Sequence, residues 1–285
     1  MDGDIMVRPL ETPEEFRACH AVQKAAWNFS EQLIIPYTQL ITLQANGGVV
    51  LGAFGHGKLV GLVFGYLARQ GTGPLYLFSQ RLGVLPGYQG RGIGECLKWA
   101  QRTWALGQGL DRIVWTYEPL ASPSARLNIA KLRGVARQYK RDMFGHDDAP
   151  AHNQLPTDRL LVEWELLSNR VLSSLASDGV SPTASALLLE AGPPLNTVTW
   201  SKGAFPLSSP PDLARLESTL LAEVPGDWQG LLRADPSLAR DWRTKTRRLL
   251  EHYLGQGYAV TEYAAGRVAG HQRSFYLLEK QDATR

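Results

Sequence analysis

A chain of 285 residues, 44% of them hydrophobic, carries enough apolar material for one large core or two modest ones, which excludes a tail or linker. With 30 basic and 27 acidic residues the net charge is +3 and no run of five Lys or Arg occurs, so nucleic acid is not an expected partner. Cys19 and Cys96 lie outside any Cys-x-x-Cys or Cys/His cluster, which argues against a disulfide framework or a metal site. Met1 to Arg8 lacks the basic start and apolar core of a signal peptide, and no run is long enough to span a membrane. The cytoplasm is the expected compartment.

In chain order, Ile5 to Pro9 predicts a short strand. Thr12-Pro13-Glu14-Glu15 then opens a helix, with Thr12 as N-cap and Pro13 at the first helical position. Val49 to Phe54 and Leu59 to Leu67 read as antiparallel strands joined by Gly55-His56-Gly57-Lys58. Leu75 to Val84 is a third strand, closed by Leu85-Pro86-Gly87. From Arg91 the period becomes helical, with Ile93, Leu97, Ala100 and Trp104 on one face until Gly107. Arg112 to Tyr117 predicts a strand, Ser122 or Ser124 the cap of a helix running through Tyr139, and Leu160 to Leu166 another strand.

This order describes one mixed α/β domain over residues 1–169, a central mixed sheet flanked by helices. Residues 170–285 are expected to be a linker plus a smaller C-terminal α/β unit. The linker is Ser-, Gly- and Pro-rich up to Pro211, with strands at Ala186 to Glu190 and Thr197 to Trp200. Helices are predicted over Asp212 to Leu221 and Ser237 to Leu254, and a closing strand pair over Tyr258 to Tyr263 and Ser274 to Glu279. The unit is expected to cover an acceptor site or to form a homodimer contact.

The chemically informative stretch runs from Leu82 to Gly94, a strand that turns through Gln89-Gly90-Arg91-Gly92-Ile93-Gly94 into a helix. Such a junction aims unpaired N–H groups and the positive end of a helix dipole at one spot, and glycines let phosphate oxygens approach; Arg91 adds a charge. Tight packing of a helix on a sheet through small residues is the alternative. A P-loop is excluded because Glu95-Cys96 follows Gly94 where Lys and Ser/Thr are required. A dinucleotide fingerprint is disfavoured by the glycine spacing and the absence of repeated βαβ units.

At these residues the chain resembles the GNAT superfamily of N-acetyltransferases, whose coenzyme motif is Gln/Arg-x-x-Gly-x-Gly/Ala. Gln89, Gly92 and Gly94 fill it, preceded by the usual Leu-x-Val-x-Pro. The resemblance covers roughly Ile5 to Leu166. It implies an acyl-coenzyme A site in which backbone groups of Leu82 and Val84 pair with the pantetheine arm, while N–H groups from Gln89 through Gly90, Arg91, Gly92, Ile93 and Gly94 hold the pyrophosphate. The N–H of Val84 is implied as the partner of the thioester carbonyl. Trp115 to Leu120, the Asn128-to-Tyr139 segment and Leu155 to Arg159 resemble a two-part branch, some members of which look like acyltransferases acting on amino acids. The implied activity is transfer of an acetyl or other short acyl group, such as succinyl, from acetyl-CoA or another acyl-CoA to the amine of a small molecule. A catalytically inactive acyl-CoA-binding module and a protein N-acetyltransferase are the alternatives, and no metal is expected.

In many GNAT proteins a helix tyrosine protonates the leaving thiolate, whereas here Ile129 occupies the aligned position. Asn128, beside it, is a candidate coenzyme contact. Glu118, following the strand Arg112 to Tyr117, is the candidate general base, against a solvated loop acid. Either Ser79 or Gln80 must face inward on its strand, and Gln80 is the candidate to align a water or the amine. Trp115 and Tyr117 share a face by the strand period and form either an acceptor wall or core.

Overall fold

The computed structural model describes residues 5–145, 155–176, 182–200 and 205–282. Its contacts divide the chain into two units, Met1–Trp115 with Glu165–Leu167, and Thr116–Trp164 with Ser168–Arg285. The division falls within a strand, whereas the compositional change lies near Asn169. Ser, Gly and Pro content follows exposed connections, while a unit is defined by which strands pair.

The first unit contains β1 (Ile5–Pro9), α1 (Pro13–Trp27), α2 (Tyr37–Ala45), β2 (Val49–Gly55), β3 (Lys58–Arg69), β4 (Leu75–Val84), α3 (Ile93–Gly107) and the start of β5 (Arg112–Tyr117). The Thr12 hydroxyl accepts the Glu15 N–H and starts α1 as expected. Phe16, Cys19 and Val22 of α1 pack with Leu40, Val50, Phe54, Leu62 and Phe64 into this unit's core. Burial pushes the Cys19 thiol up to about 12, so it behaves as a small apolar side chain.

The strands lie in the order β1-β2-β3-β4-β5, antiparallel except for the parallel pair β4 and β5. His56 and Gly57 both take positive φ between the paired Gly55 and Lys58, which makes the β2–β3 connection a two-residue turn matched to the sheet's twist. Between β3 and β4 the register passes from Phe64↔Arg81 to Gly65↔Ser79, leaving Gln80 as the extra residue of a β-bulge. Gly65 is needed there, since a Cβ would lie 2.6 Å from the Phe78 carbonyl oxygen.

The second unit contains α4 (Ser122–Ala125), which passes into a π-helical stretch Arg126–Lys131, then β6 (Val135–Lys140), β7 (Arg159–Glu165), α5 (Asn169–Ala176), α6 (Ala184–Ala191), β8 (Val198–Trp200), β9 (Pro206–Ser208) and β10 (Thr219–Val224), followed by α7 (Trp228–Ala234), α8 (Pro236–Gly255), β11 (Tyr258–Val268) and β12 (His271–Lys280). Its strands order as β7-β6-β11-β12-β10, with β8 and β9 as a separate pair.

Three sequence expectations are corrected here. The helix expected to run through Tyr139 ends before Gly134, whose N–H bonds the Asn128 carbonyl, and Arg133 takes φ 60°. Tyr139 therefore lies on β6. Ala186 to Glu190 is not a strand: Thr183 caps α6 through the Ala186 N–H, and Ala184, Leu187 and Ala191 are buried at helical spacing. Asp212 to Leu221 is not a helix, because distant partners claim its backbone. The Tyr253 and Tyr258 hydroxyls donate to the carbonyls of Asp212 and Glu217, and the Lys280 N–H donates to that of Ser218.

Gly134 is closely enclosed. A Cβ on it would approach Val162 Cγ1 to 2.5 Å and the Asn128 carbonyl oxygen to 2.8 Å. Gly134→Ala is expected to destabilise the second unit by about 1–3 kcal/mol through overpacking, read as a lower urea midpoint with an unchanged slope.

Candidate functional site

The site begins where β4 leaves β5. Their parallel ladder is recorded at Leu77↔Ile113 and Phe78↔Val114, and the Gln80 bulge follows two residues later. A bulge bends its strand, so β4 runs on from Ser79 paired only with β3. The Leu85 N–H donates to the Val60 carbonyl. Backbone groups alternate sides along an antiparallel strand, so those of Gly83 also face β3, and those of Leu82 and Val84 face the opened edge.

The chain then enters the glycine loop. Gly90 and Gly92 take φ 77° and 82°, and a Cβ on either would meet nothing within 4 Å. Glycine is required there by conformation and not by crowding. Gly92 is the N-cap of α3, whose first intrahelical bond runs from the Cys96 N–H to the Gly92 carbonyl. Among the described residues, the N–H groups of Gly90 through Gly94 have no backbone acceptor. Gln89 departs from expectation: its N–H donates to the Pro86 carbonyl, and its side-chain amide donates to the Val84 carbonyl at 3.0 Å. It shapes the loop, and the donors it frames are those of residues 90–94. The Arg91 guanidinium lies over the Tyr88 ring.

On the bulge, Gln80 is exposed and Ser79 is the inward residue. The Ser79 hydroxyl accepts a hydrogen bond of 3.0 Å from the ammonium of Lys98, which also donates to Gln101 Oε1 at 2.9 Å and lies 3.7 Å from the centre of the Trp115 ring. Trp115 is thus part of this buried cluster and does not form an acceptor wall. Lys98 is only 2% exposed, and burial holds its pKa well below the usual lysine range. Sequence reasoning passed over it, because a lysine off the apolar face of an amphipathic helix reads as a surface cation; in the structure it is buried along with Ile93, Leu97 and Gln101.

Residues 11–127 match the model of the Acetyltransferase (GNAT) family. The match takes in less than half of the chain and marks that span as similar to this family. Solved structures similar to part of the chain include an acetyltransferase of the GNAT family from Streptococcus pneumoniae, 16% identical with a TM-score of 0.45 over 56% of this chain and 98% of that one. Another is a GNAT family acetyltransferase from Elizabethkingia anophelis with acetyl-CoA bound, 17% identical with a TM-score of 0.42 over 58% of this chain and 100% of that one. No curated protein matches the chain. The GNAT family is one of acyl-coenzyme A dependent N-acetylation, and the opened edge of β4 and the glycine loop both lie within the matched residues.

Three other candidate residues fall in the second unit. Tyr117 is buried, with its hydroxyl donating to that of Tyr276, which in turn donates to the Pro119 carbonyl. Burial raises the Tyr117 pKa far above its usual value. It is a core residue, not a wall for an acceptor. Asn128 is buried within the π-helical stretch, and Ile129 beside it is fully buried.

Glu118 is neither a solvated loop acid nor an unencumbered base. Its Oε1 accepts the Leu120 N–H at 3.0 Å, and its Oε2 accepts from Arg243 Nη2 at 2.5 Å, with Arg159 Nη1 at 3.7 Å. Arg243 is 3% exposed and stacks on Trp228. Burial is the largest single influence and works to lower its pKa, but the charge and hydrogen bond of Glu118, with Tyr139 and Asp158 nearby, together raise it.

A second buried pair adjoins this one in sequence. Asp158 is fully buried and accepts two bonds of 2.8 Å from Arg247 and one of 2.7 Å from the Tyr139 hydroxyl. Burial works to raise its pKa, but Arg247, the Asp142 N–H and Tyr139 together hold it below the ordinary aspartate value. A carboxyl depressed in the folded state contributes stability that is complete above its unfolded pKa and is lost as pH falls through the folded one. The second unit is therefore expected to weaken on acidification below the ordinary aspartate range. Asp158→Asn should flatten that acid limb in a plot of Tm against pH, besides lowering Tm at neutrality.

Among the described residues, no group of three His, Cys, Asp or Glu side chains is arranged to hold a metal ion. No helix of these residues is long and apolar enough to cross a membrane.

Proposed function

We propose that the chain is an acyl-coenzyme A dependent N-acyltransferase moving an acetyl or other short acyl group, succinyl included, to the amine of a small molecule such as an amino acid. The observation that carries this reading is the continuity of two sets of main-chain groups. The open-edge peptide groups of Leu82 and Val84 lead directly to the N–H groups of Gly90 through Gly94 at the start of α3. The first set suits the amide-bearing pantetheine arm. The second suits a pyrophosphate, which the positive end of the α3 dipole also favours.

The coenzyme supplies the activated thioester. The Val84 N–H is the donor suited to polarise its carbonyl, and Gln80, exposed on the bulge, is the side chain suited to align the amine. With Glu118 committed to Arg243, the amine is expected to lose its proton without that carboxylate.

Incubating the full chain with acetyl- and succinyl-coenzyme A against a panel of amino acids and amines, and following free thiol release, tests the reading. Acceptor-dependent release supports it. Coenzyme binding without release for any acceptor would replace it by the second reading, a GNAT domain that holds acyl-coenzyme A as a ligand. That reading is favoured by the buried Ile129 at the aligned tyrosine position.

A further inference from the structure

In the second unit, the π-helical stretch, the start of α6 and β11 line a cavity of about 570 Å3. Three of its lining side chains are cationic, Arg126, Lys131 and Arg267, and none of its lining residues is acidic. Arg126 and Arg267 are exposed and enter no ion pair with a described residue. Cations gathered around a low-dielectric hollow focus a positive potential within it.

Two further features match an oxyanion in particular. The cavity is lined by Ala184 and Ser185, the first residues of the eight-residue helix α6. The Thr183 hydroxyl satisfies the Ala186 N–H, which leaves the N–H groups of Ala184 and Ser185 as first-turn donors. The wall also includes Tyr263, buried and hydrogen-bonded through its hydroxyl to Ser122. The two exposed arginines suit a dianion, for which the planar arginine fork is well shaped. The volume lies within the range of small-molecule sites and exceeds what a bare ion would fill.

We propose that this cavity binds the phosphate group of a small phosphorylated molecule, at a site separate from the coenzyme loop. Calorimetric titration of the full chain with inorganic phosphate and with glycerol 3-phosphate tests it, using Arg126→Glu, Arg267→Glu and the coenzyme-loop variant Gly92→Glu. The expected result is saturable one-to-one binding, tighter for glycerol 3-phosphate because an organic group occupies the remaining volume. Each arginine variant should weaken it at least about tenfold, the loss of one charge-assisted contact, while Gly92→Glu leaves it unchanged. Both arginines are exposed, so their variants should keep the wild-type circular dichroism and Tm.

Equal affinity for the two probes would support the phosphate site and assign it to free phosphate. Absence of saturable binding, or binding abolished by Gly92→Glu and retained in both arginine variants, would overturn the proposal. Because acyl transfer is not part of the readout, the result stands apart from the fate of the acyltransferase reading.

Discussion

Glu118→Ala is expected to lower the stability of the second unit by about 3 kcal/mol, the low end of the cost of breaking a buried ion pair. The low end applies because Glu118 is 22% exposed while Arg243 is 3% exposed. The loss comes from the arginine left behind: its Nε and Nη1 are already buried without acceptors, and removing the carboxylate strands the charge as well. Glu118→Ala with Arg243→Met should recover most of the loss, since an apolar side chain of similar volume needs no counter-charge. Urea unfolding of the two single variants and the double variant measures this. Equal losses in Glu118→Ala and the double variant would show that the stranded charge is not the cause. Glu118→Gln separates the structural role from the catalytic one. A general base would cost about a hundredfold in turnover, with recovery as pH rises toward the amine's own pKa. Here the pH-rate profile, corrected for the folded fraction, is expected to superimpose on that of the wild type.

Gly92→Glu is expected to reduce coenzyme A affinity by at least about a hundredfold while the chain remains folded, since like charges set against each other in a binding site cost several kcal/mol. A Cβ at this position meets nothing within 4 Å, so the substitution starts into open space. The φ of 82° at this position adds strain of about 1–2 kcal/mol for a residue with a Cβ. Gly92→Ala carries that strain without the charge and serves as the control. Calorimetry with coenzyme A should find Gly92→Ala intermediate and Gly92→Glu without measurable binding. Unchanged affinity in folded Gly92→Glu would remove the loop from the coenzyme site.

Local chemistry made much of the first unit legible from sequence. Thr12 and Pro13 announce a helix start, Gly55-His56-Gly57-Lys58 a hairpin loop, and the change from period two to period 3.6 across Leu82 to Gly94 marks the strand, loop and helix of the coenzyme motif. These signals act over a few residues, so they survive whatever the rest of the chain does. Tertiary structure decided what depends on distant partners. The Asn128–Gly134 hydrogen bond ends a helix that would otherwise run to Tyr139, and Tyr253, Tyr258 and Lys280 claim the carbonyls of a predicted helix between Asp212 and Leu221. Glu118 and Arg243, 125 residues apart, each look solvated until they are paired, and Lys98 looks like a surface cation until Ser79 and Trp115 enclose it. A charge's environment is set by the groups that desolvate and neutralise it, and in this chain those groups lie on other elements of the fold.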